Sequence, residues 1–178
     1  MVALAAVLSM IKVYKLPWGG SITLISMLPI CMFSIKHGVK KGLAVSLLYA
    51  VVQLFLDLGE VMSWGLTAGV LITCFLLDYL LAYTVLGFAG MLRKKGMPGW
   101  IAGTVIAMLL RLGSHYLSGI LIWHSVGEIW NLNINNQYIY SLIYNGSYMV
   151  PEIIFTVIAS VILYKIPQIQ KLIAPQTT

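Results

Sequence analysis

Arg111, His115, Gly119 and Trp123 stand four residues apart in a run that is otherwise almost wholly apolar. On a helix they fall along one slowly drifting face. The same stretch holds Gly113, Ser114 and Ser118. A charge at the centre of a membrane-spanning helix costs about 2.5 to 3.5 kcal/mol on insertion scales. Such a face is tolerated where it looks onto protein or a wet cavity. For Arg111 alone, a structural pair with a carboxylate on another helix is the plain reading. For the whole stripe, ending in Gly and Trp, the pattern points to a ligand pocket.

A second stripe repeats the spacing. Tyr140, Tyr144, Tyr148 and Glu152 are each four residues apart, with Asn145 beside them. A single Tyr near a membrane surface usually anchors the helix there. An amide inside a span needs donors and acceptors, from another helix or from a ligand. Asp78-Tyr79, with Tyr83 a turn further on, adds an acid at mid-depth in a third apolar run. Trp18 sits between Pro17 and the Gly19-Gly20 pair, as an interface anchor or as a lid over a pocket. Together Trp18, Asp78, Tyr79, His115, Gly119, Trp123, Tyr140 and Asn145 supply aromatic walls, one anion and neutral hydrogen-bonding groups. That set suits a small aromatic cation with amide-like edges.

The elements that must position these residues are membrane helices. Of 178 residues, 60% are hydrophobic and only 9% charged, with a mean hydropathy of +0.94. Too few charges remain to cover a water-facing surface, which excludes an ordinary soluble domain. We read an all-α membrane protein, a single integral membrane domain over 1–178. Six spans are expected at about 1–14, 24–35, 42–56, 66–92, 100–123 and 138–164. The first two are short against the roughly 20 residues a full span needs. The tail after Lys165 reads as short, polar and frayed.

The net charge of +6 does not point to nucleic acid, because the basic residues cluster between apolar runs. Lys36, Lys40 and Lys41, then Arg93, Lys94 and Lys95, then Lys165 and Lys171 follow every second span. The positive-inside rule puts these connections and both termini on the cytoplasmic side. Loops 15–23, 57–65 and 124–137 are then outside. They carry Asp57, Glu60 and Glu128, with Lys15 as a weak exception. The other two acids, Asp78 and Glu152, lie at mid-depth, as does Arg111. Arg111 can pair with only one of them, and which one is left open. Cys31 and Cys74 read as small buried hydrophobes, with no disulfide framework and no metal-ligand spacing. There is no phosphate-binding GxxxxGK[ST] loop.

In this order and spacing, four pieces resemble the thiamin-specific substrate-binding S components (ThiT type) of energy-coupling-factor (ECF) vitamin transporters. They are Leu16-Pro-Trp-Gly-Gly-Ser-Ile-Thr-Leu24, Leu77-Asp-Tyr-Leu-Leu-Ala82, Arg111-Leu-Gly-Ser-His115 through Trp123, and Tyr140-Ser-Leu-Ile-Tyr-Asn-Gly-Ser-Tyr148. The resemblance runs over nearly the whole chain. It implies a six-helix bundle in the bacterial plasma membrane with an outward-facing thiamin site. The family's acidic ligand residue would fall on Asp78, followed by Tyr79. Its histidine would be His115, with Gly119 a turn on and Trp123 as a stacking wall. Its tyrosine and asparagine would be Tyr140 and Asn145, and its loop tryptophan Trp18. Trp64 ranks behind these as a further wall. Some relatives carry Glu where this chain has Asp78.

The resemblance further implies a high-affinity binding subunit of an ECF-type ABC importer, with no chemistry and no cofactor of its own. ATP would be used by two partner ATP-binding subunits. Docking to the transmembrane coupling subunit would use the small pair Ala5 and Ser9 on the first helix. An S component for another small aromatic vitamin or precursor, such as a thiamin pyrimidine, is the alternative within the class. An intramembrane enzyme using His115, Ser114 and Asp78 is the alternative outside it. Adjacent residues such as Ser114 and His115 point about 100° apart on a helix, which speaks against that arrangement. A channel should carry polar residues through both halves of the membrane.

Overall fold

The computed structural model describes residues 1–173, with Trp18 described through its backbone alone. Helices dominate. α1 is Val2–Met10, α2 Leu28–His37 and α3 Val39–Ser63. α4 is a helical run, 68–95, kinked at Leu92 (φ −107°, ψ 17°), and α5 a second, 96–123. α6 is Gln137–Lys165 and α7 Pro167–Ile173. Val39–Ser63, Ala68–Trp123 and Gln137–Lys165 are long and apolar enough to cross a membrane. The middle stretch doubles back at Gly96, whose φ is +63°. A Cβ on Gly99 would meet the Leu92 carbonyl, and one on Gly103 the Ala89 carbonyl. Further from the turn, Ser114 donates to the Leu77 carbonyl at 2.6 Å. α4 and α5 are therefore antiparallel arms in close backbone contact.

Local sequence explains the punctuation. Pro29 lies in the first turn of α2, where the missing N–H is no loss. Gly38 ends α2 at φ +87° and lets α3 start at once. Asn136 caps α6 by accepting from the N–H groups of Tyr138 and Ile139. α6 runs unbroken through Pro151.

The helical architecture agrees with the expectation, and short strands occur only in the connections among the described residues. The outer connections fold into antiparallel hairpins: β1 Lys12–Lys15 with β2 Ser21–Thr23, and β3 Gly127–Ile129 with β4 Leu132–Ile134. The second turns through Trp130 and Asn131, both at positive φ, as a two-residue hairpin demands. Consequently the first apolar run stops being helical at Met10, not near Tyr14. Salt bridges from Lys12 to Asp57 and from Lys15 to Glu60 tie β1 to the end of α3. Those pairs give the exceptional lysine its acidic counterpart.

The tail is also not frayed over 167–173. Ile173 is buried and Ile169 packs against the main core, so α7 is held by an apolar face. Ala5 and Ser9, expected on an outward docking face, point inward. The Tyr49 hydroxyl donates to the Ala5 carbonyl at 3.5 Å and Gln53 Nε2 to Ser9 Oγ at 2.6 Å. The small residues serve the α1–α3 contact. The exposed face of α1 carries Leu4, Val7 and Met10.

Candidate functional site

At the end of the bundle that carries the hairpins, a cavity of about 320 Å³ lies between α4, α5, α6 and the loop 16–20. Both helices that supply its anion and its indole change winding there. α4 adopts π-helical hydrogen bonding over Phe75–Leu81, which contains Asp78. α5 does the same over Gly119–Trp123. Single π-turns are over-represented at functional sites, because the extra residue re-aims side chains.

Asp78 accepts three hydrogen bonds. His115 Nδ1 lies 2.9 Å from Oδ1, Ser118 Oγ donates to Oδ2 at 2.5 Å, and Trp123 Nε1 donates to Oδ2 at 3.4 Å. Arg111 Nε donates to His115 Nε2 at 3.3 Å. An arginine can only donate, so Nε2 is the acceptor and Nδ1 carries the ring proton. The imidazole is thereby held neutral, passing one hydrogen bond from guanidinium to carboxylate. The remaining 18% exposure of the Asp78 side chain leaves it open to the cavity it lines.

Arg111 pairs directly with neither candidate acid. Its Nη1 donates to Met27 Sδ at 2.7 Å, and its Cζ sits 4.1 Å from the centroid of the Tyr83 ring. A sulfur and an aromatic face replace the expected carboxylate. Glu152 turns instead to the root of β2, accepting from the Thr23 hydroxyl at 2.7 Å and from the Thr23 amide.

α5 and α6 meet without an intervening side chain at Gly119, where a Cβ would stand 2.1 Å from Ser141 Oγ. Asn145 fastens the same seam. Its Nδ2 donates across to the His115 carbonyl on α5 at 3.3 Å and, within α6, to the Ser141 carbonyl at 2.9 Å, while its Oδ1 accepts from the Tyr148 hydroxyl at 2.8 Å. Tyr140 and Tyr144 stack with planes 6° apart. The loop then closes over them. The Tyr144 hydroxyl accepts from the Gly20 amide at 3.2 Å and donates to the Pro17 carbonyl. Only glycine fits at position 20, since a Cβ would lie 2.9 Å from that hydroxyl and from the Tyr148 ring.

Seven of the expected residues therefore line one cavity: Asp78, Tyr79, His115, Gly119, Trp123, Tyr140 and Asn145. The side chain of Trp18, the eighth, lies outside the described residues. Trp64 also lines the cavity and packs edge to face on Trp123. Tyr144 and Tyr148 were visible as a stripe but gave no sign that they seat the loop. Two carboxylates, Asp78 and Asp57, and one guanidinium, Arg111, face the space.

The family model for thiamine transporter protein (Thia_YuaJ) matches residues 1–171. The chain belongs to this thiamine transporter family. It is 31% identical to thiamine transporter ThiT of Bacillus subtilis strain 168, over 92% of this chain and 86% of that protein. Its fold matches a solved structure of ThiT from Listeria monocytogenes with a TM-score of 0.73. That match covers 98% of this chain and 93% of the other at 23% identity. The ThiT-type resemblance carried by the four motifs thus agrees with membership drawn from nearly the whole length. Within the family member described here, all four motifs converge: three on helices that wall the cavity and one on the loop that covers it.

Proposed function

We propose that this chain is the thiamin-capturing S component of an ECF-type importer, with its cavity open to the outer face. The observation that carries the reading is Asp78, a carboxylate held by three donors beside the indole of Trp123. Thiamin joins a cationic thiazolium to an aminopyrimidine. Trp123 and Trp64 stack on the rings and favour the positive charge. Asp78 supplies the opposite charge or accepts from the exocyclic amine. Tyr79, His115 and Tyr140 shape and orient the ligand, Gly119 lets the pocket close, and Asn145 braces it. Burial under the loop supports high affinity, since most of a ligand's surface would leave water.

Both nitrogens of His115 are engaged, and the Ser114 hydroxyl donates to a backbone carbonyl. This leaves no base and nucleophile in register, which favours binding over catalysis. Six spans with both termini cytoplasmic fit the basic connections. The importer's coupling subunit would meet α1 through Leu4, Val7 and Met10, because Ala5 and Ser9 face α3. Two ATP-binding subunits would drive uptake.

The test is tryptophan fluorescence of ligand-stripped protein in detergent, titrated with thiamin and with its separate pyrimidine and thiazole halves. Saturable quenching at submicromolar thiamin, lost in Trp123→Ala, supports the reading. Equal response to the pyrimidine half alone would reassign the ligand. No response from folded protein would reject the thiamin site.

A further inference from the structure

At the opposite end of the bundle a second hollow opens between the α4–α5 turn, the end of α6 and α7. Arg93, Lys94, Trp100, Tyr164 and Lys171 line it. Trp100 is only 3% exposed. Tyr164 packs edge to face on that indole with centroids 4.7 Å apart. Arg93 is preset: one Nη1 donor goes to the Lys36 carbonyl at 3.1 Å, and the guanidinium lies over Gly38. Its remaining donors can still take a phosphate in a forked, bidentate manner. No Asp or Glu occurs in 36–41, 93–100 or 164–173, the segments that build this end. The hollow therefore combines cations at its rim, with no Asp or Glu in the described segments around them, and an apolar aromatic wall.

We propose that this hollow binds the phosphate of an anionic phospholipid, phosphatidylglycerol or a related headgroup. The phosphate sits on Arg93, Lys94 and Lys171, and the glycerol and first acyl carbons lie along Trp100. The lipid, not a soluble phosphate, is the fitting source because the wall beside the cations is apolar and the chain is embedded in a bilayer. Bound there, the headgroup clamps α7 to the α4–α5 turn. The site is remote from the thiamin cavity, so it stands or falls separately from the transport reading.

The experiment is thermal unfolding of the full-length protein in detergent, titrated with dioctanoyl-phosphatidylglycerol, dioctanoyl-phosphatidylcholine or inorganic phosphate. The expected result is a saturable rise in Tm with phosphatidylglycerol alone. Each surface lysine near an anionic lipid contributes about fivefold in affinity, so Lys94→Gln with Lys171→Gln should raise the half-saturating concentration about 25-fold. Lys40→Gln with Lys41→Gln removes the same charge at this end but outside the hollow, and should change it less than about threefold. An equal loss in the two double variants would overturn the site in favour of diffuse attraction. A rise with phosphatidylcholine would overturn the headgroup selectivity. The same rise with inorganic phosphate would overturn the lipid assignment. A single cooperative unfolding transition without lipid, at the Tm of the parent protein, verifies in each variant that the fold is intact.

Discussion

Trp64 and Trp123 meet edge to face, with ring centroids 5.5 Å apart and planes at 77°. One closes α3 and the other closes α5, so two helix ends share one aromatic wall. Gly19 of the covering loop approaches the same Trp64 ring, where a Cβ would stand 3.1 Å from it. Trp64→Ala should weaken thiamin binding about tenfold, within the range of a desolvated cation–π contact. Trp123→Ala should weaken it further, because Asp78 also loses a donor. Calorimetric titration of both variants measures the order, and a stronger effect at Trp64 would reverse it.

Asp78→Asn keeps the shape of the side chain and removes its charge. Charged hydrogen bonds are worth about 1.5 to 3 kcal/mol, so affinity should fall about 10- to 100-fold. Tyr83→Phe keeps the ring that Arg111 covers. It should cost less than about threefold, because the cation–π contact needs only the ring face. Equal affinities for the two variants would remove Asp78 from the ligand's charge recognition.

Two glycines on α5 give an internal control. At Gly119 an added methyl collides with Ser141, whereas at Gly113 nothing stands within 4 Å. Gly119→Ala should destabilise the protein by about 1 to 3 kcal/mol through overpacking. Gly113→Ala should be neutral or stabilising by about 0.5 to 1 kcal/mol, as a helix gains propensity. Paired Tm measurements in one detergent decide it. Similar shifts would mean that the α5–α6 seam is not tightly packed.

Glu152 anchors the strand that follows the covering loop by accepting from Thr23 twice. Glu152→Leu strands those donors and should cost about 1 to 3 kcal/mol, with faster amide exchange at Thr23. Glu152→Gln keeps an acceptor and should retain most of the protection. Unchanged exchange in Glu152→Leu would show that β2 is held elsewhere.

The stripe from Arg111 to Trp123 was legible because polar groups at four-residue spacing stand out against an apolar background. Asp78 and Asn145 were legible for the same reason. The partner of Arg111 was not, because Met27 sulfur and the Tyr83 face carry no formal charge to search for. The direction of Ala5 and Ser9 was also hidden. A small pair marks a close approach, but its partner, Gln53 on α3, lies 44 residues away from Ser9. The hairpins escaped notice because each strand is three or four residues long. α7 read as polar because its two anchoring isoleucines sit among Gln and Lys.

The π-wound stretches around Asp78 and Trp123 make the cavity sensitive to insertion and deletion in a way that point substitution is not. A π-turn holds one residue more than the α-turn it interrupts. Removing a single residue between Phe75 and Asp78 would let α4 relax to regular winding, turning one half against the other by about 100°. The half of α4 that packs on α5 would keep its seat, while the carboxylate partners on the two sides of the lesion would fall out of phase. Length in these two short stretches is therefore as much a part of the binding site as the side chains they carry.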